Sequence, residues 1–153
     1  KEVDGGRVEA TERNLRLLSQ AWYQAREDEK AIPPLARAAA MSKDGELYVR
    51  LAQSYVNLDR WEDAAEAVQK GLKKGGVRRI DTANIMLGMA LFNQRQLSAA
   101  RRAFTQAVKD KRSAKAARQW IAYVDSELQR QGTLDQELPE QQLRETDEIL
   151  KNL

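Results

Sequence analysis

One apolar spacing occurs three times in this chain, and it leaves few folds open. Between Gly45 and Gly76, the residues Tyr48, Leu51, Ala52 and Tyr55 are followed by Ala64 and Val68. Asn84, Leu87, Gly88, Leu91, Ala100 and Phe104 repeat the spacing downstream, and Leu15, Leu18, Ser19, Trp22, Ala31 and Leu35 repeat it upstream. Tyr48, Leu51 and Tyr55 stand at i, i+3 and i+7, which is one face of a helix, and Ala64, Val68 and Leu72 form such a face on the next segment. Each copy therefore reads as a helix, a short turn and a second helix. Two unrelated amphipathic helices do not predict a triple register.

The small positions follow from packing. Ser19, Ala52 and Gly88 on the first helices, and Ala31, Ala64 and Ala100 on the second, allow close approach, where a leucine would overpack at a cost of about 1–3 kcal/mol. Asp59-Arg60, Arg95-Gln96 and Glu27-Asp28 read as the turns, with Asp28 an N-cap. Trp61 and Leu97 open the second helices at equivalent places. Pro33-Pro34 falls inside the second helix of the first copy, just past its first four free N–H groups, so hydrogen bonds are lost. The register needs Ala31 packed, which favours a distorted first turn over a late start.

The rest of the chain fits around this unit. Residues 1–6 read as a frayed start, and a helix is expected from about Val8. Met41 to Asp44 forms a connection, Gly75-Gly76 is a helix stop, and Val77 to Ile80 is an insertion. Asp81 is expected to cap the third copy and Ser113 a final helix ending at Gly132. That helix carries Ala117, Trp120, Ile121, Val124 and Leu128 as a stripe that covers the last unit. The fold class is all-α: repeats at about 12–44, 45–78 and 81–112 within residues 7–131, a right-handed superhelical solenoid, and a capping helix at about 113–131. Residues 132–153 form an acidic tail, with six acidic and one basic side chain from Asp135 to Glu148. Either it is a solvated end, or Pro139 opens a short helix bearing Leu143, Ile149, Leu150 and Leu153 that docks on this molecule or a neighbour.

Composition removes most chemistry. The chain has no cysteine and no histidine. Thiolate catalysis, disulfides and the commonest general base and metal ligand are thereby excluded. Carboxylate pairs such as Glu27/Glu29 and Glu62/Glu66 are solvated helix charges. No catalytic residue, metal site or cofactor is expected, and the chain is read as not an enzyme. The net charge is only +3 in 153 residues. The basic run Arg101, Arg102, Lys109, Lys111, Arg112, Lys115 and Arg118 lacks interleaved aromatics and reads as solvated convex surface, so no nucleic-acid partner is expected. No apolar run reaches the ~20 residues of a membrane span.

What remains is a groove. In stacked helix pairs the first helices line the concave side. Their unpacked face presents Arg16, Gln20 and Tyr23, then Val49, Gln53, Val56 and Asn57, then Ile85, Met89, Phe92 and Asn93. Tyr23, Val56 and Phe92 are equivalent. They either form an apolar stripe in the groove or meet the adjacent repeat. Asn57 and Asn93 flank them and are expected to pair with a peptide backbone.

From about Leu15 to Leu128 the chain resembles tetratricopeptide repeat (TPR) proteins. Trp22-x₂-Ala25-Arg26, Lys30-Ala31-Ile32-Pro33, Asp44-Gly45-Glu46-Leu47-Tyr48, Trp61-Glu62-Asp63-Ala64, Gly75-Gly76-Val77, the run Leu87 to Asn93 and the run Ser113 to Trp120 further resemble periplasmic components of TonB-type energy-transduction systems in proteobacteria. The chain, which starts at Lys1 without a leader, then reads as the C-terminal part of a longer protein. The resemblance implies a non-catalytic scaffold for a peptide or protein partner, with TonB-system components as candidates, and a periplasmic location; the tail after about Gln131 lies outside the resemblance, and self-association through it is expected from its own residues. A regulatory domain of a larger enzyme or nucleic-acid-associated regulator is the alternative. The proline that often closes each repeat is absent, with Lys43, Gly76 and Arg112 in its place. The basic clamp for a C-terminal carboxylate is absent too, because Val49 and Ile85 stand where Lys or Arg is needed.

Overall fold

The computed structural model describes residues 10–151, with the side chains of 133–150 outside the described set. Seven helices follow in order: α1 (Glu12–Gln24), α2 (Asp28–Met41), α3 (Glu46–Asn57), α4 (Trp61–Lys74), α5 (Ile80–Asn93), α6 (Leu97–Val108) and α7 (Lys111–Lys151). No strand occurs among the described residues. Each helix packs on the next, and α5 also touches α3 and α7. The first helices α1, α3 and α5 thus form one row, continued by α7, and the second helices α2, α4 and α6 form the other.

The three hairpins turn in the same way. Arg26, Asp59 and Arg95 take positive φ angles of 60°, 54° and 62°. In each turn the next N–H closes back onto the first helix: Glu27 to the Trp22 carbonyl, Arg60 to Tyr55 and Gln96 to Leu91, each at 2.9 Å. A left-handed non-glycine residue costs roughly 1–2 kcal/mol, so packing on both sides imposes this geometry. It also moves the first turn one residue from its expected place. Glu27 is the N-cap of α2, Asp28 is already helical, and no side chain caps that helix.

The core consists of the repeated positions. Ala31, Ala52, Ala64, Val68, Ala100 and Phe104 are fully buried, and Leu15, Ser19, Leu35, Leu51 and Leu87 nearly so. Small Ser19, Ala52 and Gly88 are buried on the first helices, and larger Leu35, Val68 and Phe104 on the second. In the last pair the space is filled by the ring, since a Cβ on Gly88 would lie 2.6 Å from both Cδ1 and Cζ of Phe104. α2 does start at Asp28 with both prolines inside it, as the register of Ala31 requires.

Several boundaries differ from the sequence reading. α1 starts at Glu12 rather than near Val8, because Thr11 Oγ1 accepts from the Asn14 N–H at 3.2 Å. Asp81 is not a cap; α5 begins at Ile80. Asp81 is buried instead, held by Arg79 Nε at 2.9 Å and Nη2 at 2.7 Å and by the Ser113 hydroxyl at 2.6 Å. Ser113 therefore ties α7 to α5 rather than capping α7. Asp110 takes the capping role, accepting from the Arg112 N–H at 2.9 Å. The guanidinium of Arg79 holds the Asp81 carboxyl well below the usual carboxylate range, against the desolvation that burial imposes.

α7 does not stop at Gly132. It continues through Gly132 and Pro139 to Lys151. A glycine stop takes a left-handed residue; Gly75 and Gly76 adopt φ angles of 85° and 72°, and Gly132 does not. The expected frayed residues 1–6, and the side chains of Leu143, Ile149, Leu150 and Leu153, lie outside the described set. On α7, Ala114, Ala117 and Val124 are buried, whereas Trp120, Ile121 and Leu128 are only partly so. Trp120 stacks on Phe104 with centroids 5.2 Å apart and planes 6° from parallel. Its ring also lies 6.1 Å from that of Tyr123, which is itself exposed.

Candidate functional site

The row α1, α3, α5 carries two adjoining hollows. The larger encloses about 460 Å³ between α3 and α5, lined by Val49, Arg50, Gln53, Val56, Thr82, Ile85, Met86 and Met89. The smaller encloses about 140 Å³ between α1 and α3, lined by Ser19, Gln20, Tyr23, Leu35, Arg50 and Gln53. Packing accounts for the arrangement. Leu47, Leu51 and Ser54 turn α3 inward and are buried, which leaves Val49, Arg50, Gln53 and Val56 on the open side.

Seven of the predicted groove residues line these hollows: Gln20, Tyr23, Val49, Gln53, Val56, Ile85 and Met89. The other four do not. Arg16 lines neither and stands 3.7 Å from Glu12 on its own helix. Phe92 meets Trp120 edge-on, ring centroids 5.7 Å apart. Of the two readings of the apolar stripe, the adjacent element therefore covers Phe92, while Tyr23 and Val56 remain in the hollows. The expected pairing of Asn57 and Asn93 with a ligand backbone meets competition within the chain. The Asn93 amide donates to its own helix at the Met89 carbonyl, 2.8 Å away. Asn57 donates to Asp28 at 3.3 Å and accepts from Gln53 at 2.9 Å. It lies with Tyr23, Gln24, Arg26 and Asp28 along a separate polar depression.

Sequence reasoning missed Arg50, Leu35, Thr82 and Met86. Arg50 and Met86 are equivalent positions in successive repeats, each next to a predicted groove residue, Val49 and Ile85. Widening the helix face by one residue would have found both. Arg50 is exposed and lines both hollows.

Elsewhere some surface cations are paired within the chain. Within the basic run, Arg101 bonds Asp125 at 2.7 Å and Arg112 bonds Asp110 at 2.7 Å, and Lys109 bonds Gln106 at 2.8 Å. Arg101 and Arg112 are thus engaged by carboxylates, while Arg102, Lys111, Lys115 and Arg118 are exposed. Among the described residues, no group of three or more acidic, His or Cys side chains could hold a metal ion. No helix there is long and apolar enough to cross a membrane.

No family model and no curated protein matches the sequence. Solved structures do. MamA aligns with a TM-score of 0.64 and 18% identity over 74% of this chain and 66% of MamA, so the chain spans just under two thirds of that protein. The second TPR domain of human RPAP3, solved with the HSP70 peptide SGPTIEEVD, aligns at 0.64 and 16% over 74% of this chain and 98% of that domain. The first TPR of Spaghetti (RPAP3), bound to the HSP90 peptide SRMEEVD, aligns at 0.66 and 14% over 77% and 93%. At such identities the likeness establishes the fold: this is an all-α tetratricopeptide-type solenoid.

Proposed function

We propose that the chain is a non-catalytic scaffold that binds a peptide or protein partner along the α1–α3–α5 row. The observation that carries this is the pair of adjoining, largely apolar-walled hollows sharing Arg50 and Gln53. Two similarly folded domains, those of RPAP3 and Spaghetti, were solved with short peptides that end in two glutamates, a valine and an aspartate. Val49 and Ile85 occupy the groove where a clamp for a terminal carboxylate needs cations, so Arg50 is the cation left to meet an acidic group. An array of acidic and apolar peptides tests the reading. Binding that Ile85→Asp or Arg50→Glu abolishes supports it; binders insensitive to both, or no binders, remove it.

Two finer identities for the partner rest on the sequence. In one, it is a TonB-system component and the protein works in the periplasm as part of an envelope complex. Cell fractionation and co-purification of TonB-system proteins test that; a cytoplasmic location ends it. In the other, the partner is the acidic tail of a neighbouring copy.

A further inference from the structure

Arg50 stands where the two hollows meet, with Gln53 one turn further along α3. The walls on either side are apolar: Tyr23 and Leu35 in the smaller hollow, and Val56, Ile85, Met86 and Met89 in the larger. Arg50 is the one cation among the residues that line the two hollows. Arg50 has no ion pair or hydrogen bond among the described residues. A ligand matched to this surface presents an acidic side chain between two apolar ones.

The chain contains such a segment. α7 runs unbroken to Lys151, and Leu143, Asp147 and Leu150 fall at i, i+4 and i+7 along it, which is one helix face. Charge is divided in the same sense. Residues 1–131 hold 24 basic against 17 acidic side chains, while residues 132–153 hold two against six. α7 packs on α6 and α5, and a continuous helix has no turn with which to bring its end back to its own α1 and α3.

We propose that the groove receives residues 143–150 of a second copy of this chain, with Asp147 on Arg50 and Leu143 and Leu150 in the flanking hollows. A guanidinium takes a carboxylate through two parallel N–H bonds, and an amphipathic helix lying in an apolar groove is an established recognition mode. The proposal rests on the groove being this chain's peptide site.

Sedimentation velocity of the full chain tests it, from about 1 μM to about 1 mM, the span of modest affinities. The expected result is a mass that rises above the monomer with concentration and falls back in about 0.5 M salt, where charge attraction is screened. Arg50→Glu and Asp147→Arg should each weaken association about tenfold or more, with helicity unchanged by circular dichroism. The double exchange Arg50→Glu/Asp147→Arg should restore it. A monomer at all concentrations, or association that neither single variant weakens, overturns the proposal. Should the chain stay monomeric while array peptides still bind in an Arg50-dependent way, self-association fails and the groove reading stands. If no peptide binds either, both fail.

Discussion

Gly88→Ala adds a single methyl group to a helix, and helix propensity alone favours the change by about 1 kcal/mol. The structure predicts the opposite sign. The new Cβ would lie 2.6 Å from two carbons of the Phe104 ring, against 3.4–4 Å for ordinary contact, so the ring must move by about 1 Å. Phe104 has no exposed surface and nowhere to retreat. Behind it lies Trp120, stacked at 5.2 Å, so displacement also disturbs an aromatic pair worth about 0.5–1.5 kcal/mol. Overpacking costs about 1–3 kcal/mol. After the propensity gain, a net loss of about 1–2 kcal/mol remains, or about 3–6 °C in Tm for a chain of this length. Gly88→Leu should cost more, and Phe104→Leu should partly relieve Gly88→Ala, because the two residues share one space. Urea unfolding followed by circular dichroism and by tryptophan fluorescence measures all three. Gly132→Ala is the control: open space surrounds that position, so the propensity gain of about 1 kcal/mol should appear undiminished. A Gly88→Ala protein as stable as its parent would refute the packing argument.

Other substitutions probe separate parts of the fold. Ser54 is fully buried and its hydroxyl has no partner among the described residues; Ser54→Ala should therefore stabilise by up to about 1 kcal/mol, and a lower urea midpoint would show a hidden partner. Trp120→Ala removes contacts with Phe104 and Phe92 and should cost about 2–3 kcal/mol, less than the about 3–5 of a fully buried tryptophan; an unchanged midpoint would mean that α7 does not cover the third repeat. Asp81 titrates lower folded than unfolded. Its contribution is complete above the unfolded value of about 3.9 and fades as pH falls below it. Asp81→Asn should thus cost about 1–3 kcal/mol at neutral pH and flatten the acid limb of stability against pH; parallel profiles for parent and variant would dismiss the latch between α5 and α7.

Periodicity made the hairpins legible, because the apolar spacing is itself the packing: Ala31, Ala52, Ala64 and Gly88 are small where neighbours leave no room. The turns were legible to within a residue, but not their left-handed backbone. Arg26 and Arg95 adopt a conformation that their side chains do not favour, and only tertiary packing requires it. Asp81 and Ser113 look like caps in isolation. Their bond joins residues 32 positions apart, beyond the reach of any local pattern. Gly132 looks like a stop and Pro139 like the opening of a separate helix, but α7 runs through both. In the groove, Val49 and Ile85 were found by spacing. Arg50 escaped because charged residues on a helix are ordinarily solvated, and its place between two hollows depends on how α1, α3 and α5 stack.

The central claim is that partners enter along the α1–α3–α5 row. Methyl-selective NMR of the full chain, titrated with a peptide that binds on the array, tests this most directly. The account predicts that the methyl signals of Val49, Val56, Ile85, Met86 and Met89 shift together and that Arg50→Glu abolishes the shifts. Met41, exposed at the end of α2, should stay still. Saturable binding that moves Met41 or the α4 and α6 methyls, and leaves Ile85 and Met86 unmoved, would contradict it.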